Sequence, residues 1–377
     1  MVIKSLKKIN TNCFNSTDFS TCQIIIFCLL IFFISRCFFF LEYSFITNNF
    51  VHEGKTLLEN IWRWDAPNYA NIALKGYENT YHLGANCVWL PLWPLMLKLF
   101  SLNGLLNIQI VGIITNQILL LGSLILISKY FIYRGISIKS IKYSLIFLSF
   151  APINIYFFTG LTEATFLFIT ILSFYLLEQR KIWACVLIGA LLSGLKIVGL
   201  SFVSAFIYFQ YKERKLSWLT IVQAIIMSLP LLAYMVYLQV HIGDFLGFIH
   251  AQKEPSFGRP GFDFTGDYVS QISSMYMRAT VYDFSAFLIS LLVVTGILWY
   301  HKFHKEAIFN LACIIPIFIS GGLWNSFRMG FCLFTTILAI TIISQKAFTL
   351  KLIMLIISTA MTMICLTYWL SGSWFFA

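Results

Sequence analysis

"QIIIFCLLIFFISRCFFFL", residues 23–41, is broken by polar side chains only at Gln23, Ser35 and Arg36. A helix needs roughly 20 mostly apolar residues to cross the hydrocarbon core of a bilayer. This run therefore decides the class of the protein: it predicts a membrane-spanning helix. The polar head before it carries Lys4, Lys7 and Lys8. The run is longer than the apolar core of a secretory signal and has no small-residue cleavage site, so it reads as a retained first helix. Residues 1–22 then form a cytoplasmic tail.

The rest of the chain follows the same pattern. Of its 377 residues 59% are hydrophobic and 11% charged, more apolar surface than a soluble domain of this size can hide. Further runs lie at 105–129, 141–158, 161–178, 183–195, 198–211, 217–239, 283–300, 306–320, 331–345 and 351–370. Together they predict an all-α polytopic membrane protein with about 11 transmembrane segments. The pair at 183–195 and 198–211 is short, and reads either as two half-length helices meeting near Lys196 or as one bent element. No internal repeat or low-complexity linker divides the chain, so 1–377 reads as a single membrane domain.

The net charge of +11 does not point to nucleic acid, because the basic residues are scattered at helix ends and form no patch. They set orientation instead, since Lys and Arg collect on the cytoplasmic side. Lys129, Arg134, Lys139, Lys142, Arg180, Lys181, Lys212, Arg214 and Lys215 all fall on the side of the N-terminus. The N-terminus is then inside, and loops 43–104 and 240–282 face the periplasm or the ER lumen. Cys28, Cys37, Cys185, Cys313, Cys332 and Cys365 lie in apolar runs and read as small core residues. No CxxC or Cys/His ligand spacing occurs, so no metal and no cofactor is expected.

The first outer loop holds the most distinctive stretch, "WRWDAPNYANIALKGY" at 62–77. Two readings of Asp65 compete. In one it is the N-cap of a short interfacial helix, with Pro67 in the first turn, Lys75 in the last and Gly76 closing it. In the other it is an outward carboxylate at the bilayer surface, able to accept a proton from a hydroxyl. Backbone N–H bonds to a capping carboxylate lower its pKa and weaken it as a base, so the two readings conflict.

Trp64-Asp65, Tyr69, Ile72-Ala73 and Gly76-Tyr77, followed by Trp89-Leu90-Pro91-Leu92-Trp93-Pro94, resemble the first luminal loop of the GPI mannosyltransferase II (PIG-V-type) family. The sequence departs from that pattern at Leu74 and at Trp89-Leu90. "APINIYFFTGLTEATFLF" with Glu163, "GLKIVGL" with Lys196, "GDFLGFIHAQKEPSFGR" with Gln252 and Arg259, and "NSFRMGF" with Arg328 resemble later segments in order. Lys196 stands where the family has Arg, and Phe245 where it has Pro.

The resemblance implies a GT-C membrane glycosyltransferase whose outward loops carry the site, with a polyprenyl- or dolichyl-phosphate mannose donor and inversion at the anomeric centre. Asp65 would be the general base. Arg328 and Lys196 would hold the donor phosphate, because a leaving phosphate needs fixed cations in a dry site. Arg63, Tyr69, Glu163, Gln252 and Arg259 would line the acceptor side, the acceptor being a lipid-linked glycan of GPI-like type or another molecule. A small membrane partner subunit is compatible with this reading. No Asn-x-Ser/Thr triplet falls in an outer segment, which favours a bacterial inner membrane over the ER. The rival class is a lipid-linked sugar transporter or flippase, whose sequence signature is interrupted midplane helices and inverted repeats. Here the polar residues gather on one side instead.

Overall fold

The computed structural model describes residues 14–49, 56–80, 82, 85–251, 275–319, 328, 333–344 and 348–372. All regular structure among them is helical. The N-terminal part holds α1 (Phe14–Asn49), α2 (Leu57–Ile61), α3 (Asp65–Lys75), α4 (Leu92–Phe100), α5 (Ile108–Tyr133) and α6 (Ile138–Phe150). Then come α7 (Asn154–Phe158), α8 (Glu163–Glu178), α9 (Ile182–Leu195), α10 (Ser201–Lys212), α11 (Trp218–Ile242) and α12 (Gly247–His250). The C-terminal part holds α13 (Met275–Tyr300), α14 (His304–Ala312), α15 (Ile314–Ile319), α16 (Phe334–Ile343) and α17 (Phe348–Leu370).

Local chemistry sets several boundaries. Asn107 accepts the backbone N–H groups of Gln109 and Ile110 and so caps α5. Thr56 and Glu59 close a capping box on α2, as Ser217 and Thr220 do on α11. Gly243, at φ 73°, ends α11 in the left-handed conformation that glycine adopts at least cost.

Four helical stretches are long and apolar enough to cross a bilayer: Cys22–Asn49, Ile108–Tyr133, Trp218–Ile242 and Lys351–Leu370. They make this a membrane-associated, multi-pass protein. The expected topology of about 11 spans is corrected by this finding, because among the described residues only four candidate spans occur. Several of the other apolar runs are built as shorter pieces, while the run at 283–300 lies in the 26-residue α13. The run at 141–158 ends its helix at Ala151, which is extended (ψ 153°) because Pro152 follows. Lys196, at φ −147° and ψ 143°, separates α9 of 14 residues from a 3₁₀ turn and α10 of 12, so this pair is two helices and not one bent element. Helix α16 has 10 residues. Among the described residues the many-span topology that the GPI mannosyltransferase II likeness implied is absent, so the expected GT-C architecture is not upheld.

Helix α5 packs on α8, α8 on α9 and α9 on α11, while α10 and α13 flank α14. The apolar centre is aromatic. The ring of Phe174 lies 4.8–6.3 Å from the centroids of Phe334, Phe202, Phe309 and Tyr130. Fully buried, irregular backbone runs through this bundle between α6 and α8. Its carbonyls cannot reach water, so each unsatisfied one would be costly. Side chains of α5 and α4 supply the donors: Asn116 Nδ2 bonds to Thr159 O (2.6 Å) and Leu161 O (2.7 Å), Gln117 Nε2 to Phe157 O (2.9 Å), and Trp93 Nε1 to Gly160 O (2.8 Å). The turn at Thr159–Gly160 is thus buried and tied down.

Candidate functional site

The stretch before α3 is anchored at three points. Trp62 lies against Gly160, where an added Cβ would come within 2.1 Å of the indole, so only glycine fits there. Arg63 donates from Nη1 to the carbonyls of Trp369 (3.1 Å) and Leu370 (2.7 Å) at the end of α17. It also bonds through Nη2 to Asn60 Oδ1. Its guanidinium therefore satisfies carbonyls that a helix end leaves open. Trp64 then turns the chain with φ 62° and ψ −118°, a strained conformation for a residue with a side chain.

That turn decides between the two readings of Asp65. Trp64, not Asp65, occupies the N-cap position, and no side chain caps α3. Asp65 is the first helical residue and turns its carboxylate elsewhere. Its Oδ2 accepts a hydrogen bond from Arg328 Nη2 at 3.1 Å. The far end follows the sequence, with Lys75 in the last turn and Gly76 closing the helix at φ 84°.

Arg328 links Asp65 to a second acid. Its Nε donates to Glu163 Oε1 at 2.7 Å, and Lys196 Nζ donates to the same oxygen at 2.7 Å. The guanidinium also stands over the Tyr156 ring, 5.5 Å from its centroid, and the Lys196 ammonium lies 5.8 Å from that of Phe166. Two carboxylates and two cations thus form one charge-balanced chain, from α3, the start of α8, the α9 break and Arg328. Glu163 is the first residue of α8, where the helix dipole also favours an acid. Its side chain is fully buried, whereas that of Asp65 is 30% exposed. Asp65 is therefore the more accessible of the two carboxylates.

Two polar atoms inside this cluster have no partner among the described residues: Glu163 Oε2 and Arg328 Nη1. Buried polar atoms are normally paired, and these two are exceptions among the described residues. Tyr69, one turn after Asp65 in α3, is buried and meets the Trp89 ring edge-on at 6.5 Å. Burial, and then the Asp65 and Glu163 carboxylates, push its phenol up, so it stays a neutral donor.

The structure brings together Asp65, Tyr69, Glu163, Lys196 and Arg328. Arg63 lies next to them and is engaged with α17. Gln252 and Arg259 lie outside the described residues. Asp244 pairs with His250 Nδ1 at 2.8 Å, and His241 stacks on Tyr237. Sequence reading passed over Asn116 and Gln117, the donors that fix the turn leading into Glu163. The signal available was an adjacent pair of amides inside an otherwise apolar span. In comparisons with known proteins, no family model, no curated protein and no solved structure matches the chain. The likeness to GPI mannosyltransferase II is not upheld across the chain.

Proposed function

We propose that the protein is a membrane glycosyltransferase that moves a sugar, with mannose the sugar to test first, from a polyprenyl-phosphate donor to a hydroxyl of a lipid-linked or other acceptor. The observation that carries this reading is the Asp65–Arg328–Glu163–Lys196 chain, in which an accessible carboxylate stands beside two buried or half-buried cations at a membrane helix bundle. In the transfer, the acceptor oxygen attacks the anomeric carbon as the bond from that carbon to the phosphate oxygen breaks. Asp65 takes the hydroxyl proton. The phosphate leaves with the polyprenyl chain, its growing charge met by Arg328 Nη1 and Lys196. Glu163 holds both cations in place and offsets their charge until the donor arrives.

In this proposal the N-terminus is cytoplasmic and the site opens to the periplasmic side of a bacterial inner membrane, the ER lumen being the alternative. The test is incubation of purified protein with labelled polyprenyl-phosphate mannose and membrane lipids, followed by product analysis. Label appearing in a new lipid or glycan supports the reading. Label that only crosses a vesicle membrane, with no new covalent product, would identify a transporter instead.

A further inference from the structure

Away from the charged cluster, a cavity of about 460 Å³ opens between α3, α4, α9 and α11. It is lined by Ala73, Pro94, Leu95, Gly194 and Ala233 together with the face of Tyr234, and its wall is almost wholly apolar. Leu95 and Ala233 are exposed, and Leu99, Phe100 and Leu102 beside them are exposed apolar residues. The mouth therefore faces hydrocarbon in a membrane protein, and an occupant enters from the bilayer. One charged side chain stands in the wall, that of Lys98 in the last turn of α4.

Lys98 is exposed, and no described carboxylate pairs with it. An ammonium set in an apolar, lipid-facing surface is costly unless an anion meets it. A hydrocarbon slot with one cation at its edge matches a membrane lipid with an anionic headgroup: the chain fills the slot and the phosphate pairs with Lys98. The slot begins two turns along α3 from Asp65, and Gly194 lies two residues before Lys196. Its phosphate partner is thus a different cation from those of the charged cluster, and a lipid seated here braces two of the helices that carry that cluster.

We infer that this groove is a binding site for one anionic phospholipid, which clamps α3 and α4 to α11. This does not rest on the proposed transferase reading and holds equally for a transporter.

The test is native mass spectrometry of the full chain released from nanodiscs of equal parts phosphatidylglycerol and phosphatidylcholine. The parent protein is expected to retain one phospholipid, with phosphatidylglycerol preferred about fivefold, the worth of one lysine near a headgroup. Lys98→Gln, a surface change that leaves the packing intact, should keep a bound lipid and lose the preference. Ala233→Trp, which fills the slot from an exposed position, should lose the lipid. Equal retention of the two phospholipids by the parent, or full retention by Ala233→Trp, would overturn the inference. So would displacement of the phospholipid by stoichiometric polyprenyl phosphate, which would make the slot the seat of a donor chain. None of these readouts uses transfer activity, so failure here and failure of the transferase reading are separable.

Discussion

Two charge-balanced networks sit at opposite ends of the bundle, and they are built differently. At the far end from Asp65, Arg134 Nη1 bonds to Glu178 Oε1 at 2.7 Å and to Glu306 Oε1 at 2.5 Å. Lys305 also bonds to Glu178, and the Tyr130 hydroxyl to Glu306. Both networks hold two acids and two bases. The inner one is made at regular helix ends: Arg134 caps α5, Glu178 closes α8, and Lys305 and Glu306 open α14. It ties three helices together, and its most exposed member is Arg134 at 18%. The outer one hangs on a strained Trp64 and an extended Lys196; each network holds one carboxylate oxygen without a partner among the described residues, Glu163 Oε2 and Glu306 Oε2, and the outer one adds Arg328 Nη1. The difference is exposure: Asp65 is 30% exposed, whereas Glu178 is 13% exposed and Glu306 fully buried.

The largest expected effect breaks the clasp. Glu306→Gln leaves Arg134 and Lys305 with one acid in a buried place, which should destabilise the fold by ~3–5 kcal/mol. Denaturant unfolding in detergent measures this, and the protein that stays folded should keep its donor use. Asn116→Ala comes next. It strands the carbonyls of Thr159 and Leu161 and should cost ~1–3 kcal/mol per orphaned group at most, read in the same unfolding assay. Because the turn into Glu163 then loosens, activity should fall along with stability.

Arg328→Lys sharpens the outer half of the comparison. It keeps the charge and loses the planar fork that reaches Glu163 and Asp65 together, so the donor KM should rise about tenfold in donor-titration kinetics. The smallest effect belongs to the exposed pair Arg180–Glu213, 2.8 Å apart with Arg180 62% exposed. Arg180→Ala should shift stability by no more than ~0.5 kcal/mol, and a larger loss would mean that surface pairs, not only buried networks, hold this bundle.

How much of this was legible in the sequence depends on the residue. Asp65, Glu163, Lys196 and Arg328 were singled out as a site through the family resemblance, since the residues alone also read as a cap, a first-turn acid and charges at helix ends, and the structure joins all four. Arg63 looked equivalent to them. Its fate depended on where the end of α17 falls, more than 300 positions away, and no local pattern carries that. The inner network escaped because Arg134 was read only as a marker of orientation. The span count failed for a related reason. Hydropathy records how apolar a run is but not whether its backbone stays helical, so Pro152 divided a run, 141–158, that read as continuous, whereas the break at Lys196 was one of the two alternatives the sequence left open. The capping reading of Asp65 failed on one dihedral: the turn at Trp64 moves the acid from the cap into the first turn.

The central claim is that the outer network does chemistry and the inner one does not. The most direct measurement is transfer from labelled polyprenyl-phosphate mannose by Asp65→Asn and Glu306→Gln, each normalised to folded protein. Asp65→Asn removes a proton acceptor that caps nothing, so the account predicts a folded protein slowed by at least ~10²-fold, while folded Glu306→Gln turns over like the parent. Parent-like transfer by Asp65→Asn, or an equal loss in both variants, would contradict it.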